Sequence, residues 1–167
     1  MKKKFFTSTL TAFCVLCLLA GCENTGKAGN EFVEKETSLN ELQGTKWKLV
    51  GIVDAKTSNL KILEPREYEK CYTLAFDNSI PYCNEDDINS FSTRSSTNEL
   101  GGCYVIDYEK QHIQVLSFGG TKINEIGDGK LFCDALRTIQ SFSLQKNELR
   151  MYYNNKQNYL LFKQTQP

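Results

Sequence analysis

Asp128-Gly129-Lys130-Leu131-Phe132-Cys133-Asp134-Ala135-Leu136-Arg137-Thr138-Ile139-Gln140 sets Leu131, Phe132, Ala135, Leu136 and Ile139 three and four residues apart. That is the spacing of one apolar helical face. Asp128 stands where an N-cap carboxylate accepts a backbone N–H, so the stretch predicts a helix over Gly129 to Gln140, with Cys133 off the centre of its stripe. The pattern then changes to strand-like segments: Phe142-Ser143-Leu144, Leu149-Arg150-Met151-Tyr152-Tyr153 and Tyr159-Leu160-Leu161-Phe162. Lys146-Asn147 and Asn154-Asn155-Lys156 supply the turns between them. A single helix followed by a three-stranded meander is the expectation for the C-terminal third.

Upstream of the helix the signals are those of strands. Trp47, Leu49 and Val53 alternate with Lys46 and Lys48, a half-buried strand. Cys71 to Phe76 alternates again and ends at Asp77-Asn78, a turn signal. Ile88 and Phe91 suit a short strand, and Gly101-Gly102 precedes a hairpin made of Cys103 to Tyr108 and Ile113 to Leu116. Phe118 to Ile123 is a further candidate strand, entered through Gly119-Gly120. Pro65-Arg66-Glu67-Tyr68 suits one helical turn, since proline is tolerated at the first helical position.

The order of these elements from Leu42 to Lys163 resembles the META domain, the family that includes the heat-shock protein HslJ. Leu42-x-Gly44-x-x-Trp47-x-Leu49-Val50 is similar to its first strand and Tyr72 to Asp77 to its second. Asn98, Gly102 and Tyr104 match its Asn-x-Tyr-x-Gly-x-Tyr pattern, with Leu100 in place of the first tyrosine, and Thr121 matches a later threonine. Where the family commonly carries two cysteines, this chain has Thr97 and the polar run Lys122 to Glu125. The resemblance implies an α+β fold: a curved, mainly antiparallel β-sheet or small open barrel with one main helix packed on it. It implies no enzymatic activity.

Lys2-Lys3-Lys4, an apolar run to Leu19 and Leu19-Ala20-Gly21-Cys22 make the pattern of a secretory signal, and it resembles the lipobox of bacterial lipoproteins. In that family the cysteine is acylated, palmitate being a common chain, and cleavage falls just before it. The expected organisation is a signal peptide at 1–21, a lipidated flexible tether at 22–38 and a META-like domain at 39–167. The tether is polar and has only Phe32 and Val33 together as large apolar residues, too little to offset the entropy of ordering it. The strongly apolar core, Ala12 to Ala20, is shorter than the roughly 20 residues that span a bilayer. The expected address is the cell envelope, at the outer membrane on its periplasmic or surface face.

Residues 1–21 hold three of the twenty Lys+Arg and none of the twenty Asp+Glu, which leaves a formal charge of −3. No basic field exists to hold phosphates, so nucleic acid is excluded as the expected partner. Of seven cysteines, Cys14 and Cys17 lie in the signal and Cys22 is the lipidation site. Cys71, Cys83, Cys103 and Cys133 are disulfide candidates in an exported chain. Three connectivities are open. Cys71–Cys83 with Cys103–Cys133 is favoured, closing a local loop and joining a strand to the helix, with buried free thiols as the alternative.

The chemical inventory is short. His112 is the only histidine and no Gly-x-Ser-x-Gly elbow exists, which removes a hydrolytic triad and the common zinc hydrolase designs. Glu85-Asp86-Asp87 lacks the spacing and turn glycine of a calcium loop. No metal or cofactor is expected. Ser95-Ser96-Thr97-Asn98 reads first as a turn that bonds its own backbone. Thr97 and Asn98, with Tyr152 on the outer side of its strand, are the candidates for a binding surface. The expected function is a non-enzymatic binding or stress-protection module facing an envelope protein. The alternative is a lipocalin-like carrier of a small ligand, and the size of the interior cavity separates the two.

Overall fold

The computed structural model describes residues 41–65, 70–78, 83 and 87–165. The signal at 1–21, the tether at 22–38, the turn at 66–68 and the Glu85-Asp86 pair lie outside them.

Among the described residues, nine strands and one helix follow in the order β1 (Lys46–Asp54), β2 (Leu60–Lys61), β3 (Thr73–Phe76), β4 (Asn89–Arg94), β5 (Glu99–Asp107), β6 (His112–Gly120), α1 (Gly129–Arg137), β7 (Ser141–Gln145), β8 (Glu148–Tyr153) and β9 (Asn158–Gln164). All pairings are antiparallel. The sheet closes on itself, because β1 pairs β3 through Lys46 to Lys48 and also pairs β9 from Trp47 to Asp54. Little β2 only extends the far end of β1.

The expected α+β class is therefore corrected. The fold is predominantly antiparallel β, a curved sheet with one short helix of nine residues. The helix is minor because it stops at Arg137, two residues before Ile139, the last of the apolar spacing. The Thr138 hydroxyl bonds back to the carbonyls of Asp134 and Ala135, and Ile139 enters the core from outside the helix. Asp128 is not a side-chain cap. Its carboxylate instead pairs with Lys61 at 2.7 Å and accepts the Glu64 N–H at 3.0 Å, tying the chain after β2 to the helix start.

The pleat accounts for the core. Leu74, Phe76, Phe91, Tyr104 and Ile113 point inward from successive strands and are almost fully buried. Tyr104 stands edge-on to Phe76 at 5.3 Å, in the T-shaped geometry that aromatic pairs prefer. Helix α1 adds Phe132 and Leu136, both with no exposed surface, and Tyr72 meets Phe132 edge-on at 5.3 Å. Leu131, assigned to the buried stripe by its spacing, is 38% exposed, while Cys133 is buried. The face that packs is thus rotated from the one the spacing predicts.

Two expected strand boundaries move. Gly101-Gly102 lies inside β5, and Phe118-Gly119-Gly120 continues β6 instead of starting another strand. The space enclosed between Leu74, Phe76, Phe91, Tyr104, Val115 and Met151 is about 10 Å³. That is room for about one water molecule.

Candidate functional site

Glu125, in the stretch between β6 and α1, is a carboxylate gathered by four polar side chains of one turn. Its Oε1 accepts hydrogen bonds from Ser95 Oγ at 2.6 Å and Asn98 Nδ2 at 2.6 Å. Its Oε2 accepts from Ser96 Oγ at 2.5 Å and Thr97 Oγ1 at 3.1 Å. The four donors form the turn between β4 and β5, held by the Asn98 N–H to Ser95 Oγ and the Ser95 N–H to the Asn98 carbonyl. Asn98 then grips the other strand end, since its Oδ1 accepts from Thr121 Oγ1 at 2.9 Å and from the Ile123 N–H at 2.8 Å.

Partial burial by itself would raise the Glu125 pKa. The hydroxyls of Ser95 and Ser96, the Asn98 amide and the Thr97 hydroxyl outweigh it and hold the carboxyl at about 2. The group is therefore an anion that accepts and does not transfer protons near neutral pH. Gly129 opens the helix here because a Cβ would stand 2.0 Å from Ser96 Oγ and 2.2 Å from Glu125 Oε2. Any larger residue would have to displace the Ser96 hydroxyl or the Glu125 carboxylate from the knot.

Asn98, a candidate for the binding surface, is buried, with both polar atoms bonded to internal partners. Thr97 is half-buried in the same knot. Tyr152 does face outward, yet it is half-buried against Tyr159, ring to ring at 5.2 Å, and lies 3.4 Å from Ser143 Oγ. Its contacts are with the meander and not with the Thr97–Asn98 turn. Glu125 itself had a weak signal in the sequence, a lone acid before the helix. Its partners are about thirty residues away and no spacing rule connects them.

The cysteines pair differently from expectation. Cys83 bonds Cys103, with Cα atoms 5.5 Å apart, and Cys71 and Cys133 are buried thiols. The favoured Cys71–Cys83 and Cys103–Cys133 bonds are absent because Cys103, on β5 opposite Ser90, faces the approach to β4 where Cys83 lies. Burial, the Glu125 charge and the hydrogen bond to Glu125 push the Cys133 thiol up to about 11, so it stays protonated. Peptide mapping without reductant should return a linked Cys83–Cys103 peptide, with Cys71 and Cys133 recovered as alkylated thiols after unfolding. A Cys71–Cys83 peptide would contradict this pairing.

A second feature lies where the barrel seam is weakest. β6 meets β7 at one residue pair, His112 with Ser141, and the chain leaving α1 runs beside the rest of β6. Between them is an open groove of about 410 Å³, lined by His112, Gln114 and Val115 of β6 and by Arg137, Ile139 and Gln140. The Arg137 guanidinium lies 5.0 Å over the Phe118 ring.

No family model matches the chain. A Tannerella forsythia protein described as "Putative lipoprotein" is 36% identical over 157 residues, covering 92% of each chain. A solved NMR structure of a protein from Burkholderia xenovorans superposes with a TM-score of 0.59 at 17% identity, covering 90% of this chain and 100% of that one. A crystal structure of a DUF4847 family protein from Bacteroides vulgatus gives 0.54 at 14% identity, covering 75% and 96%. At these identities the two structures share the fold alone.

Proposed function

The chain belongs to the bacterial lipoprotein family of the Tannerella forsythia protein, and from that premise we propose that its β domain is a non-enzymatic binding module held at the envelope by lipid on Cys22. The carrying observation is the state of two candidate reactive groups among the described residues. The Glu125 carboxylate is saturated by four hydrogen-bond donors, and the neighbouring Cys133 thiol is held protonated. Neither is available as a base or nucleophile. The outer membrane, with the domain in the periplasm or on the surface, is the proposed site of action.

A META-like origin is part of the same proposal. It is supported by Asn98 and Thr121, which the resemblance matches at separate positions and which bond side chain to side chain at 2.9 Å. A ligand carried inside the barrel is disfavoured, because about 10 Å³ holds no organic molecule.

Replacing Cys22 with serine should abolish labelling by a fatty-acid analogue and move the protein from the membrane to the soluble fraction. Persistent labelling would overturn the anchor. Crosslinking in intact cells should trap a discrete envelope adduct of the lipidated chain. Its absence would count against a binding role, and Glu125→Gln should leave the adduct in place, since the carboxylate is assigned to structure.

A further inference from the structure

We propose that the groove between β6 and the chain leaving α1 binds a small amphipathic carboxylate, an inference that rests on the domain being a binding module. Its volume of about 410 Å³ falls in the range of small-molecule sites, in contrast to the filled barrel interior. Val115 and Ile139 give it an apolar floor, and both also pack into the hydrophobic core, so the floor is rigid.

The polar groups are asymmetric. Arg137 is the one permanently charged residue in the lining. Its guanidinium is held over Phe118 at 5.0 Å, and its ion pair with Asp134 is long, at 3.6 Å. A contact of that length leaves most of the guanidinium donors unspent. Gln114 and Gln140 add exposed amides on either side. The Thr138 hydroxyl, by contrast, is spent on the helix carbonyls. A planar cation beside an apolar floor matches a carboxylate bonded in fork geometry with its hydrocarbon end on Val115 and Ile139. A cationic ligand would meet the Arg137 charge with no acid in the lining to neutralise it.

The test uses the lipidated chain in phospholipid nanodiscs, titrated calorimetrically with 4-phenylbutyrate and with its neutral isostere 4-phenylbutanamide, empty nanodiscs being subtracted. The acid should bind saturably and about tenfold more tightly than the amide, as expected for one charge-assisted pair. Arg137→Gln should erase that preference, Arg137→Lys should keep part of it, and Lys122→Gln, outside the groove, should keep all of it. Arg137 is exposed, so its variants should melt with the parent, and the melting curve checks this. Equal affinity for acid and amide, or no saturable binding of the acid, overturns the proposal. Failure here with the cellular adduct still formed removes only the groove ligand, whereas loss of the adduct from the unaltered chain removes the binding module itself.

Discussion

Glu125→Ala should destabilise the domain by about 3 kcal/mol, because removal strands several donors at once. Ser95, Ser96 and Asn98 are nearly or wholly buried, and each points a donor at this carboxylate. A buried donor left without a partner costs about 1–3 kcal/mol, and charge-assisted bonds are the stronger kind. The loss would not stay local. The knot joins the β4–β5 turn to the end of β6 through Asn98 and Thr121, and to the start of α1 through Ser96, which accepts the Ile126 N–H at 3.2 Å. Chemical denaturation should show a lower midpoint with little change in slope. Glu125→Gln should cost less, since the amide oxygen still accepts and the serine hydroxyls can rotate to accept from its NH₂. A midpoint for Glu125→Ala equal to the parent's would show that water replaces the carboxylate at no cost.

The same group gives the fold an acid limit. Its carboxyl is held at about 2 in the folded state against an ordinary value of 4.5. A depressed folded pKa means that the unfolded chain takes up the proton first as pH falls. The contribution is therefore complete above about pH 4.5 and is lost as pH falls toward about 2, amounting to roughly 2 kcal/mol once partial solvent exposure is discounted. The Glu125→Gln variant should lose stability less steeply over that window than the parent. A residual slope should persist, because Asp128 and Glu148 are also held below the usual carboxylate range by hydrogen bonds, from Lys61 and from Arg150 respectively.

What sequence patterns reveal here is local. Trp47 to Val53 and the meander from Phe142 to Phe162 alternate because one face of each strand is buried, and period two survives any choice of neighbours. The helix is readable for the same reason, but not which turn of it packs: Cys133 goes in and Leu131 stays out because the partners are Tyr72 and the Ser95–Ser96 turn. Fold class turned on how short α1 is, because the apolar spacing runs on to Ile139 while the helix stops at Arg137. Closure of the sheet rests on β1 with β9, and no periodicity encodes a pairing more than a hundred residues apart. The Cys83–Cys103 bond and the Glu125 knot are concealed in the same way. Both join segments that the register of β4, β5 and β6 brings side by side, which no local spacing states. Gly101-Gly102 and Gly119-Gly120 were misleading for a different reason. Glycine pairs suggest a break, whereas in a strand they also mark places where another backbone comes close.

That distinction makes a sharp contrast between two glycines on adjacent strands. A Cβ on Gly102 would stand 2.2 Å from the Ser117 carbonyl oxygen and 2.6 Å from the Phe91 ring, whereas a Cβ on Gly119 meets nothing within 4 Å. Gly102 faces Phe91 across β4 and Phe118 across β6, and those two rings stack at 6.0 Å over its position. The missing side chain is what lets them close. Gly102→Ala must displace either a backbone carbonyl of β6 or a buried ring, and overpacking of this kind costs about 1–3 kcal/mol, with the upper end expected where backbone has to move. Gly119→Ala should instead be neutral or slightly stabilising, by about 0.5 kcal/mol, since alanine restricts the unfolded chain and finds open space in the folded one. Paired melting curves measure both. If the two variants melt together, Gly102 does not hold β4, β5 and β6 at their close spacing, and the stacking of Phe91 on Phe118 arises from the rings alone. If only Gly102→Ala falls, the glycine is what lets β5 lie this close to the Ser117 carbonyl and the Phe91 ring.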